Sequence, residues 1–122
     1  MPRMILEEAR IHPAIRARVD ASHADIVREV QAAVAANAIV VVGMSMNPFP
    51  KKARKLLDAR QQAYRYLEYG SYLGDWRRRT ALKMWSGWPT YPMVFVKGVL
   101  IGGANELAKL IESGELATML AS

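Results

Sequence analysis

The 122-residue chain contains no cysteine. That absence excludes disulfide staples, thiolate metal sites and thiol nucleophiles, so stability rests on packing and any chemistry on other side chains. It also removes the pairing pattern from which a redox compartment would be read. Long apolar runs are missing too, since none approaches the roughly 20 residues that a membrane span requires. The charged start, with Arg3, Glu7, Glu8 and Arg10, is unlike a secretory leader. The expectation is a soluble cytoplasmic protein with no membrane partner. Histidine is scarce: His12 and His23 stand alone, without a second ligand at metal spacing, so no metal site is expected and both read as surface or capping residues.

What is present is enough for one globular domain, with 52% hydrophobic and 23% charged residues, and too little for two. The formal charge is +6, and it is concentrated. Between Lys51 and Lys83 stand ten basic residues (Lys51, Lys52, Arg54, Lys55, Arg60, Arg65, Arg77, Arg78, Arg79 and Lys83) against Asp58, Glu68 and Asp75. Two readings are open: two solvated helix faces, or two basic helices converging into one anion-binding face that recognises an acidic partner. Nucleic acid is disfavoured, because no homeodomain, zinc-finger or RNP-type pattern and no alternation of aromatic with basic residues accompanies the charge.

Along the chain, residues 1–21 read as a short irregular or helical arm with Pro2 and Pro13 as breakers, and 22–122 as the domain. Ser22-His23-Ala24-Asp25 reads as a capping box. Ile26, Val27, Val30, Ala33 and Val34 follow at helical spacing, and Asn37 stops the helix. Residues 38–44 form a continuous β-branched run, the signature of a central strand covered on both faces. Asn47 then suits an N-cap and Pro48 the first helical position, opening the basic helix to about Arg60. Residues 63–68 predict a second strand, 75–86 a helix, and Met93–Val96 a third strand turned by Lys97-Gly98 into Val99–Ile101. Gly102-Gly103 opens a helix for which Asn105 is the candidate cap, and a short helix over 115–120 closes the chain. This order predicts an α/β domain of thioredoxin-like character: a four-stranded mixed sheet with helices on both faces.

Five short motifs stand in register over residues 82–116: Leu82-Lys83, Ser86-Gly87-Trp88-Pro89-Thr90-Tyr91-Pro92, Val96-Lys97-Gly98, Ile101-Gly102-Gly103 and Glu112-Ser113-Gly114-Glu115-Leu116. On these motifs the chain, from about Ala38 to Met119, resembles the glutaredoxins, especially the monothiol kind with a Cys-Gly-Phe-Ser active site. The resemblance places that motif on Asn47-Pro48-Phe49-Pro50. The nucleophile position is thus Asn47 and the second cysteine position Pro50, so no catalytic residue is expected. The family's glutathione-dependent thiol–disulfide exchange would be lost, and with it the protein ligand through which monothiol members hold an iron–sulfur cluster. The lysine that the family carries just upstream is absent around Met44 and Ser45, and the loop is shorter than in monothiol members.

The resemblance also implies a retained glutathione site. Arg79 and Lys83 match basic positions for the glycine carboxylate, Thr90 matches the residue whose backbone pairs with the cysteinyl part, and Tyr91-Pro92 matches the family's cis proline. Gly102, Gly103 and Asn105 match the helix start that receives the γ-glutamyl carboxylate, where the family's aspartate also binds the ligand's amine. Asn105 keeps the acceptor and loses the charge. Each has a plainer reading. Arg79 and Lys83 are i and i+4 on one helix face, the glycines serve backbone geometry, and Trp85 and Trp88 read as packing residues. The expected function is a non-catalytic glutathione or thiol-peptide binding module in redox or iron–sulfur homeostasis. The alternative is a protein interaction module, for a BolA-like or other acidic partner, with no glutathione binding.

Overall fold

The computed structural model describes residues 3–122; Pro2, read as a breaker, lies outside them. The sheet has four strands: β1 (Ile39–Gly43), β2 (Arg65–Glu68), β3 (Met93–Val96) and β4 (Val99–Gly102), in spatial order β2-β1-β3-β4. β1 runs parallel to β2 and antiparallel to β3, and β3 is antiparallel to β4. The Lys97-Gly98 turn closes the β3–β4 hairpin with both residues at positive φ, 51° and 82°, as a two-residue turn matched to strand twist requires.

The described residues also form a single 3-10 turn at Glu8–Arg10 and six α-helices: α1 (Pro13–Ala21), α2 (Ala24–Ala36), α3 (Pro48–Ala59), α4 (Trp76–Ser86), α5 (Ala104–Ser113) and α6 (Glu115–Ala121). Because side chains alternate along a strand, β1 supplies both sides of the sheet. Val40 and Val42 face a core closed by Ile26 and Val30 of α2 and Leu82 of α4. Ile39 and Val41 face a second core with Ala53 and Leu57 of α3, Leu107 of α5 and Leu116 of α6. This is the thioredoxin-like architecture expected from the strand and helix order. Trp85 and Trp88 pack against the first core, as packing residues should.

The layering corrects one expectation. α3 and α4 carry most of the basic segment, yet they bury their apolar residues against opposite faces of the sheet. Most of their charges therefore lie on two separate surfaces, and only Lys52 of α3 and Lys83 of α4 reach the region of the cleft described below.

A second correction concerns the Ser22–Asp25 capping box, which does not form. α1 runs to Ala21, so Ser22 ends that helix, and His23, in the left-handed region at φ 50°, makes no side-chain cap for α2. Asp25 pairs with Arg78 at 3.3 Å instead, tying α2 to α4. His12 does cap α1, its Nδ1 accepting from the Ala14 amide at 3.0 Å. α1 buries no residue. Before it, Arg3 folds back so that Nη2 donates to the Trp85 carbonyl at 3.1 Å. Among the described residues, no helix is long and apolar enough to cross a membrane.

Candidate functional site

The loop after β1 delivers Asn47 to the start of α3. Asn47 has extended backbone angles, and its Oδ1 accepts from the Phe49 amide at 3.0 Å, which makes it the N-cap the sequence suggests. The flanking prolines change what this helix end can do. A helix amino terminus normally offers free N–H groups and a positive dipole end that stabilise an anion. Here Pro48 and Pro50 have no N–H, and the single remaining first-turn donor, Phe49, is taken by Asn47 itself. This helix start therefore offers no thiol and few free amides to stabilise a thiolate. Pro50 is buried, packed so closely under Gly43 that a Cβ there would lie 2.7 Å from the Pro50 Cβ.

On the β3 side of this ridge lies a cleft of about 210 Å3 that brings together Phe49, Thr90, Tyr91, Pro92, Gly103 and Asn105. Thr90 is exposed at its mouth, and the Tyr91-Pro92 peptide bond is cis. The buried Tyr91 hydroxyl donates to the Arg79 carbonyl at 2.6 Å. Burial pushes the Tyr91 phenol well above the usual tyrosine range. Lys83 is half-buried, its Nζ 5.7 Å from the centre of the Tyr91 ring, a cation–π arrangement that holds it near the cleft.

At the far wall, Gly102 (φ 111°) turns the chain into α5. Gly103 leaves room that a side chain would take, since a Cβ there would stand 3.3 Å from the Pro92 carbonyl oxygen. The amides of Ala104 and Asn105 are the first two of α5 and have no intrahelical acceptor. This is a helix terminus of the kind that receives carboxylates.

Arg79 and Asn105 make contacts other than those expected, although Asn105 stays in the cleft wall. Arg79 is buried, 6% exposed, and its Nη1 donates to the Tyr69 carbonyl at 3.0 Å and to the Gly74 carbonyl. Its Nη1 thus holds the 69–74 loop onto α4, while Lys83, four residues on, stands over the Tyr91 ring. Asn105 does not cap α5. The N-cap is Gly103, whose N–H donates to Glu106 Oε1 at 2.9 Å, and the Asn105 Oδ1 accepts from Lys52 Nζ at 3.1 Å.

Lys52, Glu106 and Phe49 are site residues that linear reading missed. Glu106 had a signal, standing three residues after the helix-opening glycine as a capping carboxylate does. Lys52 had none, because its place at the α5 start depends on how α3 and α5 pack. Trp88 adds a polar atom: its Nε1 is buried without a hydrogen-bond partner and lies 3.7 Å from where a Gly103 Cβ would be. No group of three or more metal-ligating side chains is assembled among the described residues.

The glutaredoxin family model matches residues 39–101. A glutaredoxin-like protein of Dictyostelium discoideum is 45% identical over 94 residues, covering 77% of this chain and 76% of that one. A glutaredoxin of Ricinus communis is 32% identical over 87 residues, covering 71% of this chain and 85% of that one. A monothiol glutaredoxin of Schizosaccharomyces pombe is 41% identical over 56 residues, 44% of this chain and 23% of the relative. The chain likewise spans only 16% of a Danio rerio relative and 14% of one from Arabidopsis thaliana.

Among solved structures, oxidised glutaredoxin 2 from Chlamydomonas reinhardtii superposes with TM-score 0.70 at 27% identity, covering 82% of this chain and 94% of that one. The fold is shared with buckwheat glutaredoxin in its glutathione complex, with TM-score 0.69, 24% identity and coverage of 82% and 91%. Together with the thioredoxin-like sheet and the cleft built by Thr90, Pro92 and Gly103, these matches show that the chain belongs to the glutaredoxin family.

Proposed function

We propose that this chain is a glutaredoxin-family module that binds glutathione or a thiol-bearing peptide without thiol–disulfide turnover, serving redox or iron–sulfur homeostasis. One observation carries the reading: the cleft that would hold the peptide skeleton is assembled, while the reaction centre beside it is capped by Asn47 and closed by two prolines. In this reading the backbone of Thr90 pairs with the cysteinyl portion of the ligand. The α5 amides of Ala104 and Asn105 receive the γ-glutamyl carboxylate, and Lys52 supplies a positive charge beside them. Lys83 attracts the glycine carboxylate. The structurally similar buckwheat glutaredoxin is solved as a glutathione complex, which supports glutathione as the ligand class. A sulfur arriving near Asn47 would meet an amide side chain, which forms no disulfide, so the ligand leaves unchanged.

Retention on immobilised glutathione tests this. The wild-type chain is expected to be retained and eluted by free glutathione, while Lys83→Glu and Lys52→Glu elute early. Equal retention of all three proteins, or none by any of them, removes the reading.

A second reading, in which the chain is an interaction module for an acidic protein surface and glutathione is irrelevant, is favoured by the exposed cations of α3. Among the described residues only Arg78 forms ion pairs, which leaves Lys51, Lys52 and Lys55 without an acidic partner. Co-purification from the native host, repeated with Lys51 and Lys55 changed to Glu, separates the two. Loss of the partner by this variant with its retention on immobilised glutathione unchanged supports this second reading.

A further inference from the structure

On the β2 side of Pro48, across the ridge from the glutathione cleft, lies a larger one of about 460 Å3. Its walls include Met44, Ser45, Asn47, Lys51, Arg54 and Tyr66. The arginine is held in an unusual way. Its guanidinium carbon stands 4.2 Å from the centre of the Tyr66 ring, and the neighbouring Tyr64 and Tyr66 side chains favour its charged form. Arg54 Nε is out of solvent without an acceptor. No carboxylate lies within 4.0 Å of Arg54 or Lys51 among the described residues.

The acid in this cleft, Glu68, accepts from the Tyr66 hydroxyl at 3.0 Å. That leaves two cations against one carboxylate already engaged by a phenol. A guanidinium already stacked on an aromatic ring loses little side-chain freedom when it pairs, so it is ready to receive a carboxylate. The remaining wall is apolar, with Met44, Pro48 and the exposed Met46, and β2 is an edge strand with a free side. A small inorganic anion would use the charges and leave the apolar wall and the strand edge unmatched.

We infer that this cleft docks an extended acidic peptide segment of a partner protein, one side-chain carboxylate seated between Lys51 and Arg54 and its apolar neighbours against Met44 and Pro48. The segment would lie beside β2, where peptide N–H groups can reach the outer strand edge or Glu68. The inference deepens the partner reading above and stands whether or not glutathione binds on the other side of the ridge.

The test is a nitrogen-15 NMR titration of the full chain with the peptide acetyl-Leu-Glu-Leu-Glu-Leu-amide at physiological ionic strength. Saturable shifts are expected at Lys51, Arg54, Tyr66 and Glu68, and not at Thr90 or Gly103. Lys51→Glu, an exposed change that leaves the core intact, should weaken binding roughly tenfold. Lys97→Glu changes the net charge equally but sits in the β3–β4 turn at the opposite end of β1, where its amide bonds the Ala38 carbonyl, and should change affinity less than roughly twofold.

Equal weakening by both variants would mean diffuse attraction and overturn the site. The same shifts with inorganic phosphate would overturn the peptide assignment. Shifts confined to Thr90 and Gly103 would overturn the inference while leaving glutathione binding intact.

Discussion

Replacing Arg79 by Met separates a ligand-binding arginine from a structural one. The wild-type guanidinium is buried, and its Nη1 bridges the carbonyls of Tyr69 and Gly74. Hydrogen bonds to a charged donor contribute about 1.5–3 kcal/mol each, and a buried carbonyl left without a donor costs about 1–3 kcal/mol. The Tyr69 carbonyl is in the buried part of this network, whereas Gly74 is partly exposed and water can replace one bond. Met restores most of the apolar volume of the arginine stem. The net loss is therefore about 3 kcal/mol. For a domain of this size that lowers the melting temperature by about 10–12 °C. Thermal unfolding followed by far-ultraviolet circular dichroism reads it, with Lys83→Met as the control, expected to cost under about 1 kcal/mol because Lys83 is only half-buried. If Arg79→Met melted like the wild type while glutathione retention collapsed, the assignment of Arg79 to the 69–74 loop would be wrong.

Three further outcomes are expected. Asn47→Cys places a thiol at an α3 start with one amide donor, so it should titrate about one unit below the free-cysteine value of about 8.5; an alkylation-rate profile giving a pKa of about 4 would show that the prolines do not close the helix end. Gly43→Ala drives a methyl into Pro50 and the Tyr66 hydroxyl, with contacts of 2.7 and 3.0 Å, and should cost about 1–3 kcal/mol in urea unfolding; an unchanged midpoint would show that the site floor yields freely. Burial, with a smaller contribution from Glu68, pushes the Tyr66 phenol from 10.0 to about 12, and burial raises Tyr69 and Tyr91 as well. A raised folded-state pKa means that the native state keeps its proton longer, so this stability is complete below about pH 10 and is lost as pH rises towards about 12. Melting temperatures that stay level across that window would contradict the burial of these phenols.

The architecture was legible because its signals are local and mutually consistent. The β-branched run from Ile39 to Val42 has the signature of a strand covered on both faces, Asn47-Pro48 sets a helix start, and Lys97-Gly98 closes a hairpin. The motif around Thr90-Tyr91-Pro92 and Gly102-Gly103 placed one wall of the cleft.

What failed were inferences that require knowing which way a side chain turns. Arg79 and Lys83 share a helix face by spacing, yet one is buried under the 69–74 loop and the other reaches the Tyr91 ring. Ser22 looked like a cap because its neighbours fit a capping box, but α1 had already extended to Ala21. Asn105 looked like a cap because asparagine favours that position, but Gly103 with Glu106 closed the helix first. The two basic helices could not be assigned to opposite faces of the sheet until the pairing of β1 with β2 and β3 was known. Lys52 at the α5 start and Arg54 clamped on Tyr66 are products of helix packing, for which no spacing rule exists.

The central claim is that the binding cleft persists without the thiol beside which it normally works. Isothermal titration of the folded wild-type chain with reduced glutathione tests it most directly. The account predicts saturable one-to-one binding in the millimolar range or tighter, abolished by Lys83→Glu and unaffected by Asn47→Ala. No heat at millimolar glutathione, with the chain folded throughout, would contradict it.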